Sequence, residues 1–249
     1  MNARWRELYI SEQGSRKANA DAAVCLRKKR GRYSLFGLVL CDGIGTNSRS
    51  PEIASRVRRF VGDRVLALMD RMLRKHLSPE MEKRGGEALL PKLPVGMQPP
   101  SEGSTVAVAI SDGRKTWAFW AGDTRVYVQT LDGELVLLTE DDHDDDGRLT
   151  SYVCESADSL VAIRVRSRCW RRRIQALVAT TDGVHGSCNR GELQAFIAWQ
   201  LRNHALVFRN PGASMKVFLG ENLDDNASMA IWWERGASNR LRRIAGKRG

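Results

Sequence analysis

Two apolar runs in this chain lack the alternation of a half-exposed strand. Residues 35–41 read Leu-Phe-Gly-Leu-Val-Leu-Cys and residues 174–181 read Ile-Gln-Ala-Leu-Val-Ala-Thr-Thr, so each predicts a largely buried strand delivered to a tight turn. Each is closed by an acid and a glycine, Asp42-Gly43 and Asp182-Gly183. A third acid, in Asp225-Asn226, stands just before the apolar run 227–233 and is placed at a strand start. Three strands can so aim carboxylates at one edge of a core. Carboxylates gathered on a rigid edge repel one another and are costly to desolvate, which a divalent cation relieves. Oxygen-only ligands favour Mg2+ or Mn2+. Taken singly, an Asp-Gly pair is also an ordinary turn, because Asp bonds its own backbone and Gly tolerates positive φ.

The remaining pattern predicts a strand-rich domain. Strands are expected at residues 4–10, 22–27, 33–41, 104–111, 116–121, 124–130, 134–139, 160–165, 174–181 and 228–234, and that many short strands need two sheets. Ser50-Pro51-Glu52 opens a helix with Ile53, Val57, Val61, Leu68 and Met72 at helical spacing. Asn189 with Glu192 opens a second, carrying Leu193, Phe196, Ile197 and Leu201. Five prolines interrupt residues 77–101, which predicts an irregular connection. A chain of 249 residues is within reach of one core; the expected boundaries are a domain over 1–236 and a basic tail over 237–249. No apolar stretch approaches the roughly 20 residues of a membrane span, and the N-terminus lacks a signal-peptide pattern. Five cysteines without a CxxC pair indicate neither a disulfide framework nor a zinc site, and Cys25 and Cys41 are expected to be inert core residues. A cytoplasmic monomer is the expectation.

Taken in order, the acid-bearing segments resemble the metal-dependent serine/threonine protein phosphatases of the PP2C type, the PPM family, along most of the chain. Gly14-Ser15-Arg16-Lys17-Ala18-Asn19-Ala20-Asp21 is similar to the opening motif, an arginine five residues before a metal-site aspartate. Val39-Leu40-Cys41-Asp42-Gly43-Ile44-Gly45 resembles the central motif, whose aspartate bridges two metal ions and whose glycine supplies a carbonyl. Gly103-Ser104-Thr105 is similar to the family's Gly-Ser-Thr strand, and Gly122-Asp123-Thr124-Arg125 to its Gly-Asp-Ser-Arg turn, with Leu137-Leu138-Thr139 following. Thr181-Asp182-Gly183-Val184 and Asp225-Asn226-Ala227-Ser228 look like the two C-terminal metal motifs. The resemblance implies an α+β four-layer sandwich, two central antiparallel sheets flanked by helices. It implies two Mg2+ or Mn2+ ions at Asp21, Asp42, Gly43, Asp182 and Asp225, with Asp123 available to a third. The implied reaction is hydrolysis of phosphoserine or phosphothreonine in a protein, opposing a cognate kinase, by a water activated between two ions about 3.5 to 4 Å apart. Asp42 and Arg16 are the implied catalytic residues, Arg16 because a guanidinium can hold two phosphate oxygens at once.

Several positions depart from the family. Ala20 stands where an acid commonly precedes the first metal aspartate, and Gly186 where a further aspartate often follows Asp182. Ile44 occupies the place of a histidine in animal members and a methionine in bacterial ones, so leaving-group protonation falls to water and the bacterial type is the better comparison. Other readings stay open. Arg16 can be a solvated loop cation, and Asp123 with Arg125 a bracing turn and ion pair. His143, His185 and the run 141–146 read as solvated loop groups. The net charge of +11, with basic clusters at 27–30, 164–173 and 240–248, invites a nucleic-acid-associated protein. Ala20 and Gly186 invite a phosphatase-like binding or regulatory module.

Overall fold

In the computed structural model, which describes residues 5–45, 48–74, 95–96, 103–153, 164–202, 211–220 and 224–234, the two apolar runs are interior strands of separate sheets. One sheet orders β1 (Trp5–Glu12), β12 (Ala227–Glu234), β11 (Ile174–Thr180), β7 (Arg125–Thr130) and β8 (Leu135–Leu137). The other orders β10 (Arg164–Cys169), β6 (Lys115–Ala121), β5 (Ser104–Ser111), β3 (Tyr33–Gly43) and β2 (Asp21–Arg30). The short β9 (Tyr152–Val153) joins β5 and pairs with β4 (Val95–Gly96). Every pairing is antiparallel.

Side-chain alternation along β3 explains its unbroken hydrophobicity. Phe36, Leu38 and Leu40 meet Val126, Val128, Leu177 and Trp232 between the sheets. Leu35, Val39 and Cys41 point the other way, against Val61, Val65, Leu68 and Met69 of α1 (Ser50–Arg74). Both faces are therefore covered, at roughly 1.5–3 kcal/mol per fully buried Leu or Phe side chain. On the far side, Tyr127, Val178 and Ile231 pack on Leu193, Phe196, Ile197 and Met215, which belong to α3 (Arg190–Arg202) and α4 (Pro211–Leu219). The layers run helix, sheet, sheet, helix. Between the sheets the Trp232 indole N–H donates to Gly37 O at 2.8 Å.

The second helix opens as expected. Asn189 Oδ1 accepts the N–H groups of Gly191 (2.9 Å) and Glu192 (3.0 Å), while Glu192 Oε2 accepts that of Asn189 (2.9 Å), a reciprocal capping box. Other elements depart from expectation. β8 stops at Leu137 because Thr139 accepts the Val126 N–H with its hydroxyl (3.1 Å), a side chain replacing a ladder carbonyl. β10 begins at Arg164; residues 160–163 of the expected strand lie outside the described residues, as do the tail 237–249, Cys154 and the connection 77–101 apart from β4. Helix α4 was not expected, since its short Pro-Gly-initiated run carries no strong amphipathic repeat.

Candidate active site

Asp21 opens β2, Asp42 stands near the end of β3, and strand register sets the two directly opposite each other. Across the next pairing Asp42 faces Thr105 and Gly43 faces Ser104. From the other sheet, Asp182 begins the helical turn α2 (Asp182–His185) directly after β11. One hydroxyl joins the two sheets here: Thr181 Oγ1 donates to Asp21 Oδ2 at 3.2 Å and accepts the Ser228 N–H at 3.0 Å. The glycines beside the acids are sterically required. A β-carbon on Gly43 would lie 2.6 Å from the Ser50 carbonyl oxygen, and one on Gly183 would lie 2.0 Å from that of Asn226.

Two ends of the chain complete the site. Arg16 donates from Nη2 to Asp225 Oδ2, and Ser15 Oγ donates to Asp224 O at 3.0 Å. Asn226 accepts the Ala20 N–H at Oδ1 (2.8 Å) and donates from Nδ2 to Gln13 O (2.6 Å). Beneath this stitching, β1 pairs with β12 along its whole length. The result is a cleft of about 720 Å³ lined by Arg16, Asp42, Gly43, Asp123, Asp182 and Asp225 among others. Asp21 does not line it but is Asp42's neighbour across the strands.

Charge crowding dominates the electrostatics. Asp42 is held well above the usual carboxylate range by burial, then by Asp21 and Asp182. Burial pushes Asp21 up to about 7, with the Ser228 and Thr181 hydrogen bonds opposing and the Asp182 charge adding. Asp182 is raised by burial, with Asp225 adding to it. Burial pushes Asp123 up to about 6, again with a contribution from Asp182. The guanidinium of Arg16 is strengthened as a cation by its hydrogen bond to Asp225.

The flanking loop departs from expectation. Arg125 does not pair with Asp123; it forms a fork with Asp141, Nε to Oδ1 at 2.9 Å and Nη2 to Oδ2 at 2.6 Å. Asp123 instead lies 3.3 Å from His143 Nε2. The acidic run is not one solvated loop either. Asp142 is 1% exposed, accepts the Gly122 N–H (3.0 Å) and the Ser151 hydroxyl, and forms an ion pair with Arg164 (2.7 Å). Asp144 caps a turn through the N–H groups of Asp146 and Arg148. His185 is likewise not a solvated side chain: Nδ1 lies 3.1 Å from Thr180 Oγ1, and burial lowers its pKa to about 3. Burial thus favours the neutral imidazole over the imidazolium that a general acid would need. The sequence reasoning missed Asn226 and Asp142 as organisers; adjacency to Asp225 was a signal for the first, and nothing in a run of acids marks the second. Cys41 is buried and Cys25 half-buried, and burial raises both thiols, Cys25 to about 12.

Among the described residues no three His, Cys, Asp or Glu side chains stand together as a ready ligand group. The donor chemistry nonetheless fits a hard divalent cation. Asp21 Oδ1 and Asp182 Oδ1 are buried without hydrogen-bond partners, every acid of the cleft offers oxygen, and their mutual repulsion is what a cation removes.

Comparison with known proteins agrees with this geometry. Residues 12–219 match the family model described as Protein phosphatase 2C. The fold is similar to the serine/threonine phosphatase Stp1 from Staphylococcus aureus (TM-score 0.63, 15% identity, covering 92% of this chain and 95% of that one). It is similar also to the S. agalactiae serine/threonine phosphatase (0.60, 14%, 93% and 100%) and to PppA of Pseudomonas aeruginosa (0.57, 17%, 92% and 97%). No curated protein matches. No helix among the described residues is long and apolar enough to cross a membrane. With a family match over most of its length and two antiparallel sheets between helical layers, the chain belongs to the protein phosphatase 2C family.

Proposed function

We propose that this protein hydrolyses phosphoserine and phosphothreonine in protein substrates with Mg2+ or Mn2+, reversing the action of a kinase. The observation that carries the reading is the group of buried, mutually repelling aspartates from both sheets, facing Arg16 across one cleft. Asp21, Asp42, Asp182, Asp225 and the Gly43 carbonyl would hold two ions, with Asp123 toward a third. Bound there, divalent ions would supply Lewis-acid activation of water and of the phosphoryl oxygens.

The chain's own groups account for the rest. Arg16, 36% exposed at the side chain, is placed to exchange its Asp225 contact for a phosphate dianion and to orient it through a planar fork. Gly43 leaves the cleft floor open where any side chain would meet Ser50. Ile44 brings no titratable group beside Asp42, so the departing hydroxyl takes its proton from water. A phosphothreonine peptide in Mn2+ is the test, with wild type compared to Asp42→Asn and Asp182→Asn. Turnover abolished in both variants and by chelator supports the reading; a folded but inactive wild type refutes it. Ala20 and Gly186, which stand where the family commonly carries acids, favour one second reading: a module that binds phosphopeptide without turning it over. Calorimetric binding without product would identify it.

A further inference from the structure

We propose that strand β10 and the loop after it form a docking track for an acidic, extended segment of the protein substrate. The inference rests on the phosphatase reading for its purpose, though the docking itself is measurable without turnover. β10 is the edge of its sheet and pairs with β6 alone among the described strands. The pairing continues into Trp170, whose N–H donates to Arg114 O at 2.8 Å. Alternation along an antiparallel ladder then turns the backbone groups of Val165, Ser167 and Cys169 outward, toward an added strand.

Arg164, Arg166 and Arg168 share one face of that edge, and all are exposed. Arg164 sits at the cleft end, paired with Asp142, which in turn holds the N–H of Gly122 next to Asp123. At the other end a groove of about 310 Å³ lies between residues 130–132 and 170–174. Arg171, Arg172 and Arg173 are exposed there, and Arg168 stacks over Trp170 at 4.7 Å. Asp132 is the sole carboxylate lining the groove among the described residues, 3.7 Å from Arg172, with both side chains more than 70% exposed. Such a pair is easily exchanged. The track is thus a sheet edge about 20 Å long, with Arg166 paired to Glu140 midway, that leads from three guanidinium groups facing one carboxylate to the catalytic cleft.

A peptide satisfies both features at once: its backbone extends the ladder and its acidic side chains meet the arginines. Nucleic acid fits less well. One face of Trp170 is taken by Arg168 and its indole N–H by Thr116 Oγ1 (3.1 Å), which leaves less of the ring for a base, and a sugar-phosphate chain cannot ladder with a strand edge.

Fluorescence anisotropy on the metal-free full chain tests this with a labelled peptide bearing a glutamate run roughly six to eight residues from a phosphothreonine. The expected result is binding that weakens at least about tenfold in the combined Arg171→Ser, Arg172→Ser, Arg173→Ser variant. Ser167→Pro removes one outward N–H without touching the β6 ladder, and is expected to weaken binding while circular dichroism stays native. In turnover assays both variants raise KM for the long peptide and leave p-nitrophenyl phosphate hydrolysis unchanged. Wild-type affinity in both variants overturns the proposal. So does tighter binding of a single-stranded oligonucleotide of equal charge that is lost in the arginine variant. A wild type that hydrolyses neither substrate counts against the phosphatase reading alone, because anisotropy still decides the docking.

Discussion

Replacing Asp21 with asparagine should stabilise the metal-free protein. Asp21 rises from an ordinary value of 3.8 to about 7 on folding. A folded pKa above the unfolded one means that the native state keeps its proton longer than the unfolded chain does. On this account stability is intact below about pH 4 and declines as pH climbs through the window from 4 to 7. At 1.36 kcal/mol per pH unit the full decline is about 4 kcal/mol. Asp42 and Asp182 share the same repulsive field, so one substitution recovers about half, near 2 kcal/mol. Asparagine keeps an oxygen for the Thr181 hydroxyl and brings no charge into the cluster. For a chain of this size the gain is roughly 4–8 °C in Tm. Differential scanning calorimetry in chelator at pH 5 and pH 8 reads it directly: the advantage of Asp21→Asn should be large at pH 8 and small at pH 5. Added Mn2+ should close the gap by raising the wild type alone. An equal gain at both pH values, or a variant less stable than wild type at pH 8, would refute charge repulsion as the cause.

Other perturbations probe the surroundings. Asp142→Ala should cost about 3 kcal/mol in urea denaturation, because it strands the buried Gly122 N–H and unpairs Arg164. Gly183→Ala should fail to give native protein or lower Tm by more than 10 °C, roughly, since its β-carbon must displace the Asn226 backbone; purified yield and circular dichroism report it. Arg16→Lys should lower kcat/KM on a phosphothreonine peptide roughly 10- to 100-fold, a point charge replacing a planar fork, while thermal stability changes little.

How much of this was legible beforehand depended on whether a residue's partner is local. Asp42 and Asp182 could be placed because an acid after a continuous apolar run marks a strand end, and strand ends fall at a sheet's edge. The double burial of β3 could be inferred from its lack of alternation. The fork between Arg125 and Asp141 could not, because it exists only where the segment after β8 returns beside β7. Asp142 was hidden for the opposite reason: in a run of acids hydration is the default, and the pocket formed by Gly122, Ser151 and Arg164 is assembled from distant segments. Only the first two residues of β10 fell within the strand expected at 160–165, since three arginines in alternation read as part of a basic cluster until the partner β6 is known.

The stitching of β1 to β12 has a consequence for biosynthesis. Arg16 finds Asp225, and Ala20 finds Asn226, across more than 200 intervening residues. A ribosome adding about 5–20 residues per second exposes the first of these partners many seconds before the second. Until β12 emerges, β1 lacks its neighbour, Asp182 lacks the Asn226 backbone that seats Gly183, and Arg16 has no anchor. A chain terminated before β12 therefore presents the acids of the cleft without the strand that closes them together, and the site cannot assemble until that strand is made.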